Sequence, residues 1–220
     1  MKRLKFIALS MVMISAVSCK DNKKEAEVPT QEVETTATEN TAPAEGTYTV
    51  INDSTKVSFT AYKTTDKVAV GGMFKEIKLT ENAEGKTPLE ALNGTKFSIP
   101  VASLFTNEVT GTRDPKILKF FFGVLNNTTN IEGEFKVAAD KSCSIDVVFN
   151  GKTANIPMKY TNNGDTSASF DGVMNLENWD ALGAVASINK ACEALHTGKD
   201  GVSKTWSEVA VHADVAFNKK

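Results

Sequence analysis

Two apolar runs of matched phase flank the dipeptide Asn150-Gly151, and nothing else in the chain constrains the fold as strongly. Both residues of a type I′ turn need positive φ, which Asn and Gly tolerate. Pairing outward from the turn sets Val147 against Ala154, Ile145 against Ile156 and Cys143 against Met158. All six then share one face, and a slip of one residue would turn the whole set to the other. The spacing therefore predicts a hairpin with one buried face. Pro157 falls on the opposite face, at an edge or bulge, because it has no N–H to donate.

The same two-residue period recurs along the chain. It is carried by Val57-Phe59-Ala61, Phe97-Ile99-Val101, Ile131-Gly133-Phe135-Val137, Ala168-Phe170-Gly172-Met174-Leu176 and Val209-Val211-Ala213-Val215-Phe217. With Val68–Leu79, Cys143–Phe149 and Thr153–Tyr160, these make eight candidate strands. Asn162-Asn163-Gly164-Asp165 closes a second hairpin, and Gly71-Gly72 inside a strand pattern predicts a bulge or sharp bend. Two helices interrupt the strands. The first is capped by Asp114 with Pro115 at its first position, carries the pairs Ile117/Phe121 and Leu118/Phe122, and ends at Gly123. The second spans about Asn178 to His196, with an apolar stripe of Ala181, Val185, Ile188, Cys192 and Leu195. The fold class is all-β. Eight antiparallel strands favour closure into a barrel, which removes exposed edges; a two-sheet sandwich is the alternative.

The barrel occupies residues 47–220. Ahead of it, Lys2, Arg3 and Lys5 precede an apolar run from Phe6 to Val17, and residues 1–18 read as a secretory signal. The run is too short to span a ~30 Å hydrocarbon core as a helix. Ala16-Val17-Ser18-Cys19 resembles the lipobox of bacterial lipoproteins, in which the cysteine becomes the lipid-bearing N-terminus. Residues 19–46 are rich in Glu, Thr, Ala and Pro and almost free of large apolar side chains, a composition that reads as a disordered tether. Its r.m.s. reach would be roughly 25–30 Å. The chain's formal net charge is −2. Seven acids against three lysines make the tether acidic and leave the barrel segment nearly neutral. No basic patch interleaved with aromatic residues is present, which argues against a nucleic-acid partner. Cys143 and Cys192 make an even pair; in an exported chain they form a disulfide or stay as buried thiols.

Three segments carry a family resemblance. Tyr48-Thr49-Val50-Ile51 with Ser54, Val57-Ser58-Phe59 and Val70-Gly71-Gly72-Met73-Phe74 resemble the start of YceI-like domains. Gly111-Thr112-Arg113-Asp114 leading to Phe120-Phe121-Phe122 resembles that family's Arg-Asp element and aromatic run. Asn178-Trp179 through Ala191-Cys192, Leu195-His196, Gly198, Asp200-Gly201 and Thr205-Trp206 is similar to the C-terminal part of its lipoprotein members. The resemblance covers Tyr48–Phe217. It implies an extended lipocalin-like antiparallel barrel whose apolar lumen holds a polyisoprenoid or similar long-chain amphiphile, with no other cofactor. One departure stands out: Lys116-Ile117 occupies the place where the family often has a His-Leu pair.

A ligand-holding barrel needs a continuous inward stripe from several strands. The candidates are Phe59, Ala61, Phe74, Ile77, Phe97, Ile99, Ile131, Phe135, Ile145, Val147, Ile156, Met158, Phe170 and Met174. Taken singly, each is equally a packed core residue. Phe121 and Phe122 cover a barrel mouth or form a helix's core face. Arg113 meets an anionic head group or pairs with Asp114 or another nearby acid. Trp179 and Trp206 anchor the second helix or line an entrance. Catalysis finds little support. No nucleophile elbow or metal-ligand spacing is present, and Gly198-Lys199-Asp200-Gly201 has the wrong order for a phosphate loop. Of the two histidines, His212 is expected to face solvent, and His196 is expected as a favourable cation just after a helix. The sequence thus points to a non-catalytic envelope lipoprotein that binds a long-chain lipid or isoprenoid and is held to a membrane through Cys19. A structural module with a filled core is the alternative, and oligomeric state is left open.

Overall fold

The computed structural model describes residues 46–220. The signal, Cys19 and all of the tether except Gly46 lie outside the described residues. Ten strands form one antiparallel sheet: β1 (Tyr48–Lys63), β2 (Val68–Phe74), β3 (Lys78–Thr80), β4 (Lys96–Pro100), β5 (Leu104–Phe105), β6 (Asn130–Val137), β7 (Cys143–Phe149), β8 (Lys152–Asn162), β9 (Ser167–Asn175) and β10 (Glu208–Lys219). Their hydrogen-bonded order is β3-β4-β6-β7-β8-β9-β10-β1-β2-β5. Two of the eight expected strands are each broken in two. β2 runs on into β3, and β4 runs through a 3-10 turn at Val101–Ser103 into β5. Because β3 pairs with β4 while β2 pairs with β5, the two ends of the order belong to neighbouring strands. The sheet therefore curls back on itself as an eight-stranded barrel, and the sandwich is ruled out.

The β7–β8 hairpin has the expected register. Val147 opposes Ala154, Ile145 opposes Ile156 and Cys143 opposes Met158, with Asn150 and Gly151 at φ 50° and 73°. Pro157 pairs with Ser144 and lies just beyond the last β8–β9 pair, Met158 with Gly172, where no N–H is required of it. Gly71-Gly72 makes no bulge. The β1–β2 ladder is regular there, and Gly72 lies opposite Phe59, whose ring occupies the space a Cβ would need. The same arrangement recurs where Gly133 opposes Phe97. A large inward side chain thus fits beside a neighbour with none.

The helices depart further from expectation. A short helix not foreseen, α1 (Pro88–Leu92), follows β3. Thr87 accepts from the Glu90 N–H at 3.2 Å, and the Glu90 carboxylate accepts from the Lys86 N–H at 3.0 Å. The Thr-Pro-x-Glu signature of a capped start was present in the sequence. The second helix, α2 (Arg113–Phe120), starts two residues early, and Asp114 does not cap it. The Asp114 carboxylate instead accepts from both the backbone N–H and the hydroxyl of Thr106. The chain then turns through a 3-10 segment at Phe122–Val124. The long helix expected from Asn178 to His196 is three pieces: a 3-10 turn Leu176–Trp179, α3 (Leu182–Ala191) and α4 (Glu193–His196). Asp180 in the left-handed region (φ 51°) and a second break at Cys192 interrupt it. Ala181, Val185, Ile188 and Cys192 are buried as the stripe predicts, but Leu195 beyond the break is 59% exposed.

These elements give the barrel two unlike ends. The floor holds both ends of the described chain, α1 and the β6–β7 and β8–β9 turns. The far end carries α2, α3, α4 and the β7–β8 turn.

Candidate functional site

A cavity of about 560 Å³ runs through the barrel from above the floor to the helical end. Its wall is the inward face of the strands, set by the two-residue period. All fourteen lumen candidates named from the sequence lie around it. The deepest contacts are fully packed: Phe135 and Phe170 meet edge to face at 4.9 Å, and Ile156 and Phe170 are almost wholly buried. Phe59, Phe97, Ile131, Ile145 and Met174 keep partial exposure, so the lumen is lined rather than filled by side chains.

α2 closes part of the opening. Positions 113, 116, 117 and 121 recur at helical spacing on one side, and all four line the cavity. Ile117 and Phe121 extend the apolar wall; Phe121 stacks on Phe149 at 6.2 Å, while the buried Phe122 meets both rings. The two phenylalanines thus serve both as wall and as the packing that seats α2. Arg113 does not pair with Asp114, which is committed to Thr106. It borders the cavity, as do Lys116 of the same helix and Lys63 at the end of β1.

The two tryptophans separate. Trp179 is fully buried, donates from Nε1 to the Val147 carbonyl at 2.9 Å, and locks the start of the helical insert onto β7. Trp206 is half-buried at the rim, where it donates from Nε1 to the Thr64 carbonyl at 2.8 Å. Lys204 lies over its ring at 3.5 Å and Lys67 at 4.7 Å. Cys143 and Cys192 are free, buried thiols, so the disulfide reading does not hold.

His196 corrects its expectation as a favourable cation. Burial first, and the neighbouring Lys63 charge second, push its pKa below the ordinary 6.5, so the imidazole is neutral near pH 7. Its tautomer follows from its partners. The Thr205 hydroxyl donates to Asn189 Oδ1 at 2.9 Å, so His196 Nδ1–H donates to Thr205 Oγ1 at 2.7 Å. Nε2 is left as a bare acceptor on a residue that lines the cavity. Sequence reasoning named His196 but missed this arrangement, because Thr205 is supplied by a loop nine positions away. His212 faces outward between Asp171 (2.7 Å) and Asp214 (3.2 Å), as its strand phase predicts. No cluster of three or more His, Cys, Asp or Glu side chains able to hold a metal occurs among the described residues.

No family model and no curated protein matches the sequence. Solved structures do match the fold. A polyisoprenoid binding domain from Saccharophagus degradans, implicated in plant cell wall breakdown, superposes with a TM-score of 0.55 at 10% identity, covering 79% of this chain and 98% of that one. BcnA of Burkholderia cenocepacia follows at 0.49 and 16% identity, covering 76% and 98% of the two chains. A YceI protein of Campylobacter jejuni stands at 0.42 and 13% identity, covering 69% and 85%. The first of these carries the comparison, and at its level of identity the likeness is one of fold. The barrel that the YceI-like resemblance implies is the barrel the structure has.

Proposed function

We propose that this chain is a non-catalytic binding protein of the bacterial envelope that carries a polyisoprenoid or similar long-chain amphiphile in its lumen. One observation carries the reading: a lined apolar cavity of about 560 Å³ threads a barrel of this size. Such a volume lies within the range of ligand pockets. A structural module would gain by filling it, since each buried apolar side chain stabilises the fold by roughly 1.5–3 kcal/mol. The fold shared with a polyisoprenoid binding domain supports the same ligand class. The lipobox-like Cys19 and the acidic segment after it support a lipid anchor and a leash, so that the carrier works beside the membrane that supplies its cargo.

Mass spectrometry of organic extracts from protein purified without delipidation tests the reading. A stoichiometric long-chain lipid is expected. None after expression in several bacterial hosts would overturn it. The anchor has its own test: Cys19→Ala is expected to move the protein from the membrane to the soluble fraction.

A further inference from the structure

The lumen wall is apolar up to the rim, and the charges that line the rim are mostly of one sign. Lys63, Arg113 and Lys116 all line the cavity. Their side chains make no hydrogen bond or ion pair with any described residue, so nothing among those residues competes for their charge. The one acid on the lining, Glu108, is turned into its own loop. It accepts from the Thr110 N–H at 2.9 Å, the Thr110 hydroxyl at 2.8 Å and the Thr112 N–H at 3.1 Å. Those bonds hold its pKa at about 2. The carboxylate is therefore occupied, and none of the three cations uses it. The neutral His196 beside Lys63 adds no fourth charge and offers an acceptor to an ammonium or hydroxyl proton.

We propose that the lumen selects ligands with an anionic head, a carboxylate or a phosphate ester, gripped by Arg113, Lys116 and Lys63 at the mouth. This inference rests on the reading of the lumen as a ligand site. The division of labour follows from α2, whose single inward side is cationic at its first turn and apolar at its second. A head held by Arg113 and Lys116 therefore leads its chain past Ile117 and Phe121 into the barrel. The guanidinium supplies a paired donor set that matches two oxygens of either head, and the lysines supply point charges.

Displacement of the neutral dye N-phenyl-1-naphthylamine by palmitic acid, hexadecyl phosphate and hexadecanol reads the head group at constant chain length. The anions are expected to displace the dye at about tenfold lower concentration than the alcohol, the size of one charge-assisted contact, and to lose that lead at high salt. The two anions, compared with each other, tell carboxylate from phosphate. Arg113→Gln combined with Lys116→Gln should bring acid and alcohol together, while Lys119→Gln on the outer side of α2 should keep them apart. Thermal melts of each variant confirm that it is folded. Equal displacement by acid and alcohol in the unsubstituted protein would overturn the anionic head and leave the lumen intact. Failure of the dye and of all three compounds to bind would overturn the lumen reading itself.

Discussion

The two ends of the barrel are built on opposite plans. At the floor, Tyr48 and Phe217 are 0% and 2% exposed and meet edge to face at 6.4 Å. Ala91 and Leu92 of α1 plug the gap beside them, at 0% and 4% exposure. The β1–β10 ladder runs to its last pair, Tyr48 with Lys219, and Thr47 and Lys220 exchange backbone hydrogen bonds beyond it. At the mouth, α2 buries no residue fully, Leu195 stands open, and Lys63, Arg113 and Lys116 pair with no described residue. One end spends its side chains on packing. The other keeps polar and apolar groups free along the edge of a cavity. Stability therefore concentrates at the floor, while the groups that the proposed recognition would use stand at the mouth, and the difference can be broken experimentally.

The largest effect is expected at the floor. Phe217→Ala removes a ring that touches Tyr48 across a sealed layer, and aromatic-to-alanine changes in such sites cost about 3–5 kcal/mol. Urea denaturation should show the midpoint falling with the slope unchanged. A change below about 1 kcal/mol would mean that the floor relaxes around the hole and that the two ends do not differ as described.

The two histidines sharpen the comparison between mouth and outer wall, because their linkage runs in opposite directions. His196 has a folded pKa lowered by burial and then by Lys63. Its contribution is present above the unfolded value near 6.5 and is lost as pH falls through 6.5 toward the folded value. Thr205 is its hydrogen-bond partner and Lys63 the charge that acts on it. His212 has a folded pKa raised chiefly by its hydrogen bond to Asp171, with Asp214 adding to it; Lys56 and Ser169 also act on Asp214. Its contribution is complete below 6.5 and is lost as pH rises through the folded value. Urea midpoints followed across this range should flatten on the acid side in His196→Gln and on the neutral side in His212→Gln. An anionic ligand at the mouth should also raise the His196 pKa, which NMR titration of the ring protons would read directly.

The same contrast explains what was legible in the sequence. The floor and walls follow a period of two, and their register could be read from Asn150-Gly151 because a slip there would expose six apolar side chains at once. Thirteen of the fourteen lumen positions lie on strands in that phase, and Ile77 sits in the break between β2 and β3. The mouth obeys no period. Asp114 looked like a cap because Pro115 follows it, yet its partner is Thr106, a neighbour only after the chain has turned. The stretch from Asn178 to His196 looked like one helix because its breaks, at Asp180 and Cys192, carry no Gly or Pro. His196 has its pKa lowered by burial first and then by Lys63, which lies 133 positions earlier in the chain. Local patterns encode strands well; a site assembled from loop ends is written in long-range contacts.

The smallest effect is expected where the mouth is most exposed. Leu195 is 59% exposed just beyond the break in the helical insert, yet it still borders the cavity. Leu195→Ser removes little buried surface, so the unfolding free energy from urea denaturation should change by no more than about 0.5 kcal/mol, the range of ordinary surface changes. The same substitution places a hydroxyl where the chain of an amphiphile would pass, so dye affinity should fall while stability holds. A variant that loses stability and keeps affinity would reverse the assignment, making the rim a packing element and moving the entrance elsewhere on the barrel.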